Sequence, residues 1–138
     1  MATLVRELMH SDLTQLDSNA TVLEAARCMR DADIGDVLVT EGGKLRGIVT
    51  DRDLVVRCMA EQASADAKLG QLCSGDLVTI SPDEEIDRAV KLMSDHAIRR
   101  LPVVEGDRAV GILSLGDLAI ERDRQSALGR ISAASPNQ

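Results

Sequence analysis

The sequence predicts an α+β fold made of two βαββα motifs packed with pseudo-two-fold symmetry. Three observations lead there. Shifted by 64 residues, the chain lines up with itself without a gap, residues 5–54 on 69–118, with identities that include Asp12/Asp76, Ala25/Ala89, Met29/Met93, Gly47/Gly111, Ile48/Ile112 and Asp53/Asp117. A fixed internal period of this kind marks a duplicated supersecondary unit. Within each copy the apolar pattern passes from strand to helix and then to paired strands. One copy alone has too small a sheet to bury two helices well, so two copies are expected to share a core. The first motif is placed at residues 5–60, the joint at 61–68, the second motif at 69–124, and a partly disordered tail at 125–138.

The elements follow in chain order. A short apolar strand opens each copy, Leu13–Leu16 and Leu77–Ile80. In the first copy Val22, Ala25, Ala26 and Met29 then recur at helical spacing and form an apolar stripe. Thr21 with Glu24 reads as a capping box at its start. Ile86, Ala89, Val90 and Met93 repeat the stripe, behind a turn and start signal at Ser81-Pro82-Asp83-Glu84. Two hairpins come next. Val37–Thr40 and Leu45–Thr50 flank Glu41-Gly42-Gly43-Lys44; Leu101–Val104 and Ala109–Ser114 flank Glu105-Gly106-Asp107-Arg108. Glycine in such turns supplies the positive φ that tight hairpins need. A last helix in each copy starts at Asp51 or at Leu115.

Composition removes several classes of function. The 138 residues carry a net charge of −7 and no Phe, Tyr or Trp. Nucleic-acid binding is driven largely by Lys and Arg on phosphate, and single-strand platforms need aromatic rings, so no nucleic-acid partner is expected. No run of 18 apolar residues exists, so no membrane span is expected. The opening Met1-Ala2-Thr3-Leu4-Val5-Arg6-Glu7 lacks a basic stretch followed by an apolar block and does not read as a secretory signal. Cys28, Cys58 and Cys73 are widely spaced, which fits reduced thiols in a cytoplasmic protein. Cys73 aligns with Met9, which favours a packing role. His10 and His96 show no metal-ligand spacing, and His10, near the start, reads as exposed. Met29, Met59 and Met93 are expected to fill the core in place of aromatic rings. No nucleophile has a plausible neighbouring base, so catalysis is not expected.

The chemistry concentrates in Gly47-Ile48-Val49-Thr50-Asp51-Arg52-Asp53 and its twin Gly111-Ile112-Leu113-Ser114-Leu115-Gly116-Asp117. In each, a strand ends on a hydroxyl residue, a helix begins, and a carboxylate stands three residues on. Helix N-termini offer unpaired N–H groups that favour phosphate. A carboxylate one turn in is able to accept from both hydroxyls of a ribose. The same spacing also serves as a plain helix cap.

These two motifs, the segment His96-Ala97-Ile98-Arg99-Arg100-Leu101-Pro102-Val103-Val104 and the entry Asp76-Leu77-Val78-Thr79-Ile80-Ser81-Pro82 together resemble a tandem pair of cystathionine-β-synthase (CBS) domains over about residues 5–122. The resemblance implies a stand-alone sensor that binds an adenosine-type ligand such as AMP, ADP, ATP or S-adenosylmethionine in clefts between the two motifs. It implies no required cofactor, a homodimer, and signalling through the dimer or an unknown target protein. The alternative within the same family is an interaction dimer with ligand-free clefts. Carried over residue by residue, Asp53 and Asp117 would hold a ribose, and Thr50 and Ser114 would reach ribose or phosphate. Thr14 and Val78 would offer backbone groups to the base, and Arg99, Arg100 and Arg52 would contact phosphate. The first copy has Gly35 and Asp36 where the second has Arg99 and Arg100, and Leu38 where the second has Pro102. A carboxylate at Asp36 would repel phosphate, so the second copy is expected to be the better phosphate site.

Overall fold

The computed structural model describes residues 3–73 and 77–122; the expected tail at 125–138 lies outside the described residues. In chain order the elements are α1 (Val5–Leu8), β1 (Gln15–Asp17), α2 (Val22–Ala32), β2 (Asp36–Glu41), β3 (Lys44–Thr50), α3 (Asp51–Asp53), a π-helical segment (Leu54–Met59), α4 (Leu69–Leu72), α5 (Ile86–His96), β4 (Arg100–Glu105), β5 (Arg108–Ser114) and α6 (Leu115–Arg122). They divide into two compact units. The inner unit is Leu13–Leu77; the flanking unit joins Met1–Asp12 to Val78–Gln138.

In the inner unit β1 runs parallel to β2 and β2 antiparallel to β3. The β2–β3 hairpin turns on Gly42 and Gly43, at φ of 62° and 82°, values that cost a Cβ-bearing residue dearly. Helix α2 starts where the Thr21 hydroxyl accepts from the Glu24 N–H at 3.1 Å. It stops at Asp33, which is left-handed at φ 54°. Its stripe of Val22, Ala25 and Met29 is buried with Val37, Val39 and Val49 of the sheet.

The flanking unit repeats the plan, except that α6 replaces α3 and the π-helical segment and that its first strand is shorter. Strands β4 and β5 pair antiparallel, and α5 buries Ala89 and Met93 with Leu101, Val103 and Leu113. The expected strand Leu77–Ile80 is reduced to a single parallel bridge, Ile80 to Val103. The causes are Pro82 and Pro102: Pro82 aligns with Ser18, whose N–H donates to the Thr40 carbonyl at 2.7 Å, and Pro102 aligns with Leu38. In the inner unit Leu38 donates its N–H to the Thr14 carbonyl at 2.9 Å. Proline has no N–H to give, so Val78 lacks the matching bond.

The compact units do not follow the repeat. Helices α1 and α4 open the two repeats and occupy equivalent positions, yet each packs on the body of the other repeat. Val5 N–H donates to Glu84 O at 2.8 Å, and Leu69 N–H to Ala20 O at 2.9 Å. Val5 is fully buried in the flanking cluster, and Leu69 is fully buried in the inner one. Each unit therefore buries an apolar cluster of its own, closed by the opening turn of the other repeat. The exchange also explains two buried strand glycines. A Cβ at Gly47 would lie 3.0 Å from Cys73 Sγ, and one at Gly111 would lie 2.6 Å from Met9 Sδ. Cys73 and Met9 press on the sheets at these points. Met29 and Met93 are buried as expected, whereas Met59, at the end of the π-helical segment, is 75% exposed.

Candidate functional site

The inner junction forms where β3 runs into α3. Thr50 stays extended while Asp51 turns into the helix, which brings Asp53 back beneath Thr50. Thr50 Oγ1 accepts from the Asp53 N–H at 3.1 Å, and Asp53 Oδ2 accepts from the Thr50 N–H at 2.8 Å. The Gly35 carbonyl accepts from the Asp51 N–H at 3.0 Å, which fixes the start of the turn. Asp36 lies directly across the hairpin from Thr50. Thr14 is half-buried at the neighbouring edge, its carbonyl engaged by Leu38. The Arg52 side chain is exposed. Gly35, Asp36, Thr50 and Asp53 thus meet at one end of this sheet, rich in negative charge.

The flanking junction repeats the geometry with different charge. The Arg99 carbonyl accepts from the Leu115 N–H at 2.8 Å, and Arg100 pairs across the hairpin with Ser114. Asp117 Oδ2 accepts from both the Ser114 N–H and the Ser114 hydroxyl, each at 2.8 Å. Arg99 is exposed, Arg100 half-buried, Pro102 buried and Val78 half-buried. Two basic residues therefore border this junction at the positions where Gly35 and Asp36 border the other.

The structure adds a residue that the sequence did not single out as part of a site. His10 Nε2 lies 2.7 Å from Asp117 Oδ1, with the ring 64% exposed and the carboxylate only 15% exposed. The pair spans 107 positions in the chain, so no local pattern announces it. His10 is held in place by its main chain, which exchanges two 2.9 Å bonds with Ile112 of β5.

Among the described residues little other chemistry stands beside these junctions. A groove of about 430 Å³ between α5 and α6 is lined by Val90, Met93, Ile98, Leu115 and Leu118 and includes neither Ser114 nor Asp117. Among the described residues no three His, Cys, Asp or Glu side chains group as metal ligands. No described helix is long and apolar enough to cross a membrane. Burial pushes the Cys73 thiol above its ordinary value, against the pull of the Arg46 guanidinium.

Comparison with known proteins gives this geometry its context. The family model of the CBS domain matches residues 5–59 and 69–123. The CBS domain-containing protein YhcV of Bacillus subtilis is 34% identical over 125 residues, covering 91% of this chain and 89% of that protein. The solved CBS domain pair of protein MJ0100, in complex with 5′-methylthioadenosine and S-adenosyl-L-methionine, is similar at a TM-score of 0.82 and 25% identity, over 91% of this chain and all of that one. Hypoxic Response Protein I, solved with two coordinated zinc ions, is similar at a TM-score of 0.77 and 30% identity, over 85% of this chain and 97% of that one. Pairs of this kind are commonly regulatory. With a matching domain on each of its two repeats, the chain belongs to the CBS domain family as a tandem CBS pair.

Proposed function

We propose that this CBS pair is a non-catalytic regulatory module that binds an adenosine-type nucleotide at its strand-to-helix junctions and signals through contacts with a second copy or a target protein. The observation that carries this reading is the duplicated hydroxyl–carboxylate pair, Thr50 with Asp53 and Ser114 with Asp117, at the same register in both units. Each carboxylate caps its own helix with one oxygen, which leaves the other to bind elsewhere: Asp53 Oδ1 takes no described bond, and Asp117 Oδ1 meets the exposed His10 ring. Arg99 and Arg100 supply positive charge for phosphate beside Ser114, while Asp36 opposes it beside Thr50. Where Pro102 removes a donor, the Val78 carbonyl is offered to the amino group of an adenine. The complex of the similar MJ0100 pair with adenosine ligands supports the same class of ligand.

The test is a dye-monitored melting series with AMP, ADP, ATP, NAD and S-adenosylmethionine, run on the wild type, Asp53→Ala and Asp117→Ala. The dye replaces intrinsic fluorescence because the chain has no Trp or Tyr. A ligand at a hundredfold excess over its Kd stabilises by roughly 2.7 kcal/mol. The expected result is a shift that Asp117→Ala abolishes. A second reading has its own support. Val55, Val56 and Met59 are 56%, 45% and 75% exposed, an apolar surface suited to a partner. No shift with any ligand, together with a dimer that Met59→Glu dissociates, would favour an interaction module whose junctions are plain caps.

A further inference from the structure

The two carboxylates are not equally open. A carboxylate offers about four acceptor positions. Asp53 Oδ2 takes one bond, from the Thr50 N–H, and among the described residues its Oδ1 takes none. Asp117 Oδ2 takes two, from the N–H and hydroxyl of Ser114, and its Oδ1 takes a third from His10. A ribose diol donates two hydrogens. Asp53 has room for both, whereas Asp117 has room for one until His10 leaves.

The geometry points to His10 as a built-in competitor for the Asp117 carboxylate: its imidazole occupies the oxygen that a ribose diol needs, so nucleoside binding in the flanking unit and the His10–Asp117 contact exclude one another. This rests on the reading of Asp117 as a ribose acceptor. His10 is well placed for the role. Its ring is mostly exposed, so it swings away without disturbing the core. Its main chain stays fixed to Ile112 on both the N–H and the carbonyl, so the ring remains within reach and returns when the ligand departs. Nε2 donates to the carboxylate as the imidazolium and also as the neutral tautomer that carries its hydrogen there, so the contact does not depend on the ring's charge. Among the described residues no side chain meets Asp53 Oδ1 in this way, and the repeat aligns a serine, not a second histidine, with His10. Among the described residues the inner junction is thus open and the flanking one is closed by its own chain. A ligand must displace a side chain to enter the closed one, and it selects that junction only when phosphate contacts to Arg99 and Arg100 compensate.

The test uses the full chain with Asp53→Asn as background, so that only the flanking junction reports. Diethyl pyrocarbonate labelling follows His10, with His96, the second of the two histidines, as internal standard. Without ligand, Asp117→Asn is expected to speed labelling of His10 several-fold and leave His96 unchanged; equal rates would overturn the proposal. Calorimetric titration with adenosine is expected to show about fivefold tighter binding for His10→Ala, the worth of an exposed charged contact. Saturating adenosine is expected to speed His10 labelling, since the ligand releases the ring, whereas a histidine that only contacts the ligand would be protected. Adenosine binding that His10→Ala weakens or leaves unchanged overturns the proposal alone. No binding of adenosine or of AMP in either protein overturns the nucleotide reading and the proposal with it.

Discussion

Gly111→Ala probes the contact that holds the opening segment of the chain against the flanking sheet. A Cβ on Gly111 would lie 2.6 Å from Met9 Sδ, 2.9 Å from Met9 Cγ and 3.1 Å from the His10 carbonyl oxygen. The thioether is able to swing aside, but the carbonyl is fixed by the Ile112 N–H at 2.9 Å. Overpacking of this kind costs about 1–3 kcal/mol. Replacing a glycine returns about 0.4–1 kcal/mol through the unfolded chain, so the net loss is about 1–2 kcal/mol. Met9→Ala alone removes a half-buried side chain from the flanking cluster and costs about 1–2 kcal/mol, roughly half the fully buried value. In the double variant the new methyl fills space that Met9 vacated, so its loss is expected to fall short of the sum by about 1 kcal/mol. Urea unfolding followed by far-ultraviolet circular dichroism measures all three, and needs no aromatic reporter. Gly111→Ala as stable as the wild type, or a strictly additive pair, would refute the contact between Met9 and the sheet.

Two further predictions rest on backbone and burial. Ala97 ends α5 in the left-handed region at φ 53° and ψ 44°, where a Cβ is strained by about 1–2 kcal/mol. Ala97→Gly is therefore expected to raise stability by about 0.5–1 kcal/mol after the entropy cost of glycine, read as an increased Tm; a decrease would contradict that conformation. Cys73 has its thiol pKa raised by burial, so the native state keeps its proton where the unfolded chain gives it up. Its contribution to stability is complete below the ordinary value of 9.0 and is lost as pH rises from there through the folded value. Denaturation midpoints are thus expected to fall with alkaline pH more steeply in the wild type than in Cys73→Ala; equal slopes would sink this assignment.

Local pattern carried most of the secondary structure. The stripe Val22, Ala25, Met29 and the hairpin glycines each encode their element within a few residues, and the observed α2 and β2–β3 hairpin match that reading closely. The opening strands were harder. Strand β1 begins two residues later than the apolar run Leu13–Leu16, because pairing with Leu38, Val39 and Thr40 sets its limits. Its counterpart shrinks to Ile80 because neither Pro82 beside it nor Pro102, more than twenty positions away, can donate. The exchange of α1 and α4 was equally hidden, since both copies carry the same opening pattern and nothing local says which body it joins. At the candidate junctions the Thr50–Asp53 and Ser114–Asp117 spacings were legible at once. His10 was not, because its partner is set by the placement of a whole segment rather than by any spacing. Thr21 shows a smaller difference: its hydroxyl caps Glu24, but Glu24 makes no described bond in return, so the cap works in one direction.

The exchange of opening helices gives the inner unit the topology of an insertion. The chain enters it at Leu13 and leaves it at Leu77, with described residues of the flanking unit on both sides. While the flanking unit stays folded, an unfolded inner segment is a loop with both ends anchored, and such a loop has fewer conformations than a free chain. That restriction acts as a cross-link does, without a covalent bond, and disfavours separate opening of the inner unit. The flanking unit is itself closed by the opening segment, through Val5 on Glu84 and His10 on Ile112. Loss of the Val5 and His10 contacts together frees its first segment, removes the anchor at Leu13, and relaxes the loop at the same moment. The inner unit's resistance to opening is thus partly lent by its neighbour, which makes the opening segment through His10 a control point for both.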